Sequence, residues 1–178
     1  MRRVLEREGR RGQGLLPGGN QDNAAIVELF QANLAQIGVT LDIQVVDFAA
    51  YAGLAFGDAP AEERPHLFPA FWQPDYNDGW NQLWPQVSCE AWQNGNVGHY
   101  CNPRVETLLD QAKSAADSVS YQAALSEIQQ IVTQDDPAAI YLAQAEWLTV
   151  LRQDLEGFAP DLVTSGIVDF YALHRRSP

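Results

Sequence analysis

QDNAAIVELFQANLAQIGVTLDIQVVDF, residues 21–48, changes its hydrophobic period halfway along, and that change decides the fold class. In its first part Ile26, Phe30, Leu34 and Ile37 recur at steps of four, four and three, one face of a helix. Asn20 or Asp22 can cap the start, because a short polar side chain accepts from first-turn N–H groups that have no helical partner. Gly38 supplies the stop. From there the period drops to two: Val39, Leu41, Ile43 and Val45 alternate with Thr40, Asp42 and Gln44, a half-buried strand. A helix that runs through a tight turn into a strand predicts an α/β layer.

Upstream, residues 1–19 are rich in Arg and Gly and read as a poorly ordered lead-in to one α/β unit over 20–178. Downstream, FAAYAGLAF suggests a short helix and HLFPAFW a second strand. Asn102 caps and Pro103 opens a further helix whose buried face is Val105, Leu108, Leu109 and Ala112. Another helix is expected from about Ser118 to Gln134, with Tyr121, Ala124, Leu125, Ile128 and Ile131 at helical spacing. AIYLAQAEWLTVLR reads as one strand or two, EGFAPDLVTSG as loop, and IVDFYAL as a last short strand.

The chain has 178 residues, 46% hydrophobic and 19% charged, the composition of a folded domain. Its net charge of −12 would repel nucleic-acid phosphates. No stretch approaches the ~18 apolar residues of a membrane span. Arg2 and Arg3 look at first like the head of an export signal, but only GQGLLPGG follows where ~7–15 apolar residues are needed, so no secretory signal is read in the sequence as written. Cys89 and Cys101 leave three readings open: a disulfide, two free thiols, or a zinc site with His99 that lacks a recognisable fourth ligand.

One stretch carries chemistry. FWQPDYNDGWNQLW, residues 71–84, mixes Trp72, Tyr76, Trp80 and Trp84 with Asp75 and Asp78, around the helix breakers Pro74 and Gly79. A core would reject the carboxylates and a solvated loop would reject the rings. As a recognition surface the mixture makes sense: flat apolar walls beside a carboxylate that can hold an ammonium or hydroxyl group. Trp84 and Asp78 read better as a packed ring and a helix cap. The two aspartates could instead serve a glycosidase, which needs paired carboxylates. No nucleophile–base set, phosphate-cradling loop, cofactor motif or metal-ligand spacing is found.

Several blocks, in order, resemble the C-terminal lobe of family 5 extracellular solute-binding proteins, the dipeptide, oligopeptide and nickel receptors of ABC importers. AAIVELFQANLAQIGVTLDIQVVDFAAY is similar to the family's helix and L-x-x-I-G turn into a strand. FWQPDYND resembles its W-x-x-D-Y-x-D segment, and NVGHYCNPRVETLLDQAKSAAD its Y-x-N-P helix start. SYQAALSEIQQIVTQDDPAAIYLAQ and LEGFAPDLVTSGIVDFYAL resemble the helix, D-x-P-x-I-x-L strand and G-F…D-F close that follow. The resemblance covers about residues 13–173.

It implies a periplasmic-binding-protein-like type II lobe, a mixed sheet flanked by helices. It implies a non-catalytic receptor, periplasmic or extracellular, that delivers a peptide or similar small solute to an ABC permease without a cofactor. It implies a Cys89–Cys101 disulfide, an Asp75 that pairs with a peptide's ammonium group, and Trp72 as a pocket wall; Tyr76 and Trp80 join the candidate ligand-binding residues from the aromatic reading of the stretch itself. Family members are much longer and close two lobes on the ligand. The expectation for this lobe alone is therefore weak binding or none, with residues 150–178 being the segment that would return to the other lobe. RRVLEREGR resembles the remains of the helix before the lobe, so an inactive truncated gene fragment is the other expectation. The family's Pro after the second aspartate is Gly79 here.

Overall fold

The computed structural model of the chain describes residues 11–57, 60, 63–92, 94–144, 148–159 and 168–176. These lie in two compact units, one within Met1–Phe71 and Gln93–Val97, the other within Trp72–Trp92 and Gly98–Pro178.

In the first unit the period change gives the expected helix and strand but only part of their expected faces: Ile37 and Val45 are each 65% exposed, and the buried residue of the helix is Val27. Helix α1, Gln21–Gln36, is capped by Asn20, whose side chain accepts from the Asn23 N–H at 3.0 Å. Gly38 follows with φ of 77°, a backbone state costly for any residue with a Cβ. Strand β2, Thr40–Val46, comes next. Its partner is a finding, because the stretch read as an irregular lead-in contains strand β1, Arg11–Pro17, parallel to β2 from Arg11↔Thr40 to Pro17↔Val46. RGQGLLP has little local strand preference, so non-local pairing imposes its conformation. On its other side Leu67 bridges Gly14, with the Leu15 N–H donating to Leu67 O at 2.8 Å. Of HLFPAFW only this short part pairs.

Neighbouring side chains of β1 point to opposite faces, and each face has its own helix. Leu16 packs with Leu41 and with Val27 of α1. Leu15 packs with Tyr51 and Ala55 of helix α2, Phe48–Phe56, capped by Asp47. β1, α1 and β2 thus form a βαβ unit with both faces covered, as a parallel pair requires.

The second unit is built on three helices: α3 (Gly79–Val87), α4 (Pro103–Lys113) and α5 (Ser118–Gln130), the last running into a π-helical turn at Ile131–Asp135. The faces foreseen from spacing, with Val105, Leu108, Leu125 and Ile128, meet in one core, which Leu83 and Val87 of α3 complete. Asn102 caps α4 and Asp117 caps α5. Cys89 and Cys101 form a disulfide with Cα atoms 4.6 Å apart, tying the end of α3 to the start of α4. Glu106 of α4 accepts from the Cys89 N–H at 2.9 Å and from the Ser88 hydroxyl at 3.3 Å, fixing one end of the bridged loop.

Beyond α5 the strand expectations change. Residues 140–144 and 148–152 form no strand, and 145–147 lie outside the described residues. The short antiparallel pair is β3 (Leu155–Glu156) with β4 (His174–Arg175), so the last strand falls just after IVDFYAL instead of on it. Residues 1–10, which include RRVLEREGR, and 160–167, most of the closing loop, also lie outside the described residues.

Candidate functional site

The loop that enters α3 separates the two aspartates by what each is bonded to. Asp78 is the N-cap: its Oδ1 accepts from the Trp80 N–H at 2.9 Å and the Asn81 N–H at 3.1 Å. Its Oδ2 accepts from the Tyr121 hydroxyl of α5 at 2.7 Å, and that hydroxyl accepts in turn from the Trp80 N–H at 2.9 Å. Burial, aided by the bond to Asp78, pushes the Tyr121 phenol up, so it stays a donor. Both oxygens of Asp78 are therefore engaged in holding the helix start. The glycosidase reading needs two available carboxylates, and the pair offers one.

Asp75 differs. It is exposed, and only its backbone is held, its N–H donating to Asn81 Oδ1 at 2.7 Å. No donor among the described residues engages its carboxylate. Tyr76 beside it is 52% exposed, its N–H 3.4 Å from the same Asn81 oxygen. Trp72 is half-buried, and its indole N–H is buried without an acceptor among the described residues. Asp75, Tyr76 and Trp72 thus share one short loop of the second unit.

Trp80 sits differently from the other three. Its ring stacks on Trp84 with centroids 5.3 Å apart, its indole N–H donates to Leu109 O at 3.3 Å, and Lys113 Nζ lies 5.8 Å from its centroid. It packs against the helical core beneath the loop. Gly79 has a local packing reason, since a Cβ there would stand 2.5 Å from Leu125 Cδ1. The glycine lets α5 approach the start of α3.

Asn81 is the residue that sequence reasoning missed. It is 6% exposed and occupies the third helical position after the Asp78 cap, where a polar side chain can reach back over the helix start. That position was the available signal. The zinc reading fails because both cysteines are spent in the disulfide; the His99 ring lies against Trp92, centroids 5.4 Å apart. Among the described residues no group of three or more His, Cys, Asp or Glu could hold a metal ion, and no helix is long and apolar enough to cross a membrane.

No protein-family model matches the chain. It is 30% identical over 150 residues to the probable ABC transporter periplasmic-binding protein SapA of Escherichia coli, covering 83% of this chain and 26% of that protein. Among solved structures, the ABC transporter-associated periplasmic binding protein DppA from Helicobacter pylori, in complex with the peptide STSA, is 25% identical with a TM-score of 0.58. That match covers 76% of this chain and 26% of the other. The clavulanic acid biosynthesis oligopeptide binding protein 2, 17% identical, shares the fold with a TM-score of 0.75 over 99% of this chain and 33% of its own. The chain spans about a quarter of the length of the curated relatives it matches. In sequence and in fold the chain is therefore similar to one part of the family 5 extracellular solute-binding proteins, in agreement with the resemblance read from its sequence blocks.

Proposed function

We propose that the chain contributes part of a peptide-binding site to a non-catalytic receptor of an ABC importer, with Asp75 taking the ammonium group of a peptide. The observation that supports this best is the contrast between the two aspartates: both oxygens of Asp78 accept hydrogen bonds at the helix start, while Asp75 presents its carboxylate from a loop with a fixed backbone. A carboxylate held ready for a cation forms a charge-assisted bond without first breaking one of its own. Trp72 and Tyr76 flank it as apolar surface for the first residues of the peptide, and Trp80 supports the loop from below. A permease would receive the peptide, and a periplasmic or extracellular setting suits the disulfide. Since the chain spans about a quarter of its relatives' length, it carries a fraction of the contacts and its own affinity is weak.

The test is a titration of the isotope-labelled, oxidised protein with trialanine into the millimolar range, read by backbone amide shifts. The expected result is saturable movement at residues 72–80 that Asp75→Asn abolishes. Movement that persists unchanged in Asp75→Asn would remove the carboxylate from the site.

A further inference from the structure

We infer that Asn81 is the positioning residue of this site: its side-chain oxygen clamps the backbone of Asp75 and Tyr76 onto the start of α3 and so sets where the Asp75 carboxylate stands. The inference rests on the proposed role of Asp75 and adds the device that holds it.

The hydrogen-bond directions make the case. Asp75 N–H and Tyr76 N–H are both donors, so the Asn81 atom between them is the amide oxygen, at 2.7 Å and 3.4 Å. Asn81 is itself held at both ends. Its N–H is capped by Asp78, and its side chain is 6% exposed in a helix whose core face is Leu83 and Val87. Asp78 is tied to α5 through the Tyr121 hydroxyl. The chain of contacts therefore runs from the helical core through Tyr121, Asp78 and Asn81 to the backbone of Asp75.

Two consequences follow from the chemistry. An aspartate in a loop commonly folds its carboxylate onto nearby backbone N–H groups. Its own N–H and that of Tyr76 are turned to Asn81, and the Asp78 N–H donates to Tyr76 O at 2.8 Å, so these three neighbouring donors are taken and the Asp75 carboxylate is left without a bond to them. An amide also accepts without adding charge, whereas a carboxylate at position 81 would place a third anion beside Asp75 and Asp78. Asn81 thus supplies rigidity without a competing negative charge, and rigidity in the bound conformation raises affinity by lowering the ordering cost.

Three proteins decide it: the wild type, Asn81→Ala and Asn81→Asp. The first readout, without peptide, is hydrogen exchange at the Asp75 and Tyr76 amides. Asn81→Ala is expected to speed exchange at Asp75 by about tenfold. Asn81→Asp keeps an acceptor oxygen at the positive end of the helix dipole but adds a third anion beside Asp75 and Asp78, and is expected to restore only part of the protection. The second readout is trialanine affinity, expected to fall by about fivefold in Asn81→Ala with the helices intact. Unchanged exchange in Asn81→Ala, or unchanged affinity once the clamp is released, would each overturn the inference. Asp75→Asn separates the two ideas: if it leaves the titration unchanged while Asn81→Ala still releases the amides, the ammonium role fails and the clamp stands.

Discussion

Two regions of the second unit both carry apolar side chains, and the more apolar of them in sequence is the one left exposed. In α4 and α5, Leu108 and Ile128 are 1% and 0% exposed. In the stretch after the π-helical turn, Leu142, Leu148 and Val150 are 57%, 91% and 84% exposed. The helices find their partners a turn or one loop away, so residues close in sequence complete their own core. The later stretch carries a strand's side chains, and a strand needs a neighbour to bond its backbone and cover its face. Among the described residues no such neighbour is paired with it. Local periodicity stabilises helices directly, whereas strand formation waits on a non-local partner.

The largest test of that difference is truncation in each region. Leu108→Ala should lower stability by ~2–5 kcal/mol in denaturant melts, because it opens a cavity among residues that cannot collapse to fill it. Val150→Ser should stay within about 0.5 kcal/mol. If the two variants cost the same, the later stretch is as well packed as the helices, and the contrast is lost. Next in size is the bridge between α3 and α4: replacing both Cys89 and Cys101 by Ser should cost ~3 kcal/mol, the value for a closed loop of this length. Reducing agent should lower the midpoint of the wild type and leave the double variant where it is.

Smaller is Tyr121→Phe, which removes the hydroxyl that bonds Asp78 and the Trp80 N–H. The expected cost is ~1–3 kcal/mol, with loosened amides at the start of α3. The smallest effect sharpens the contrast by pH. Asp117, held low chiefly by the Ser120 backbone N–H, caps α5, and Asp154, held low by Arg152, sits in the later region. A folded-state pKa below the unfolded value stabilises above the ordinary 3.8 and is lost as pH falls through the depressed value. Both variants should therefore flatten the acid limb of the melting curve, Asp117→Asn more than Asp154→Asn, whose Arg152 partner is two residues away on an exposed segment. Equal effects would place both regions in one cooperative unit.

The same divide explains what could be read from the amino acids. α1, its Asn20 cap and Gly38 turn, and the faces of α4 and α5 follow from spacing within one element. β1 did not, because two glycines and an arginine in RGQGLLP conceal a strand held by β2 on one side and Leu67 on the other. Asp78 as a cap was legible from its place before Gly79. The difference between a bonded Asp78 and an open Asp75 was only partly legible, since it depends on Tyr121, 43 residues away. Asn81 was hidden for a similar reason: its reach to Asp75 depends on how the loop between them turns.

One measurement bears most directly on the proposed site: parallel amide-shift titrations of the oxidised wild-type protein with trialanine and with N-acetyl-trialanine. The two ligands differ at the group that Asp75 is proposed to hold. The account predicts that the free amine moves the residues 72–80 resonances along a saturable curve and that the acetylated peptide moves them little at the same concentration. Equal curves for the two peptides would contradict it, because the carboxylate would then play no part in recognising the ammonium group.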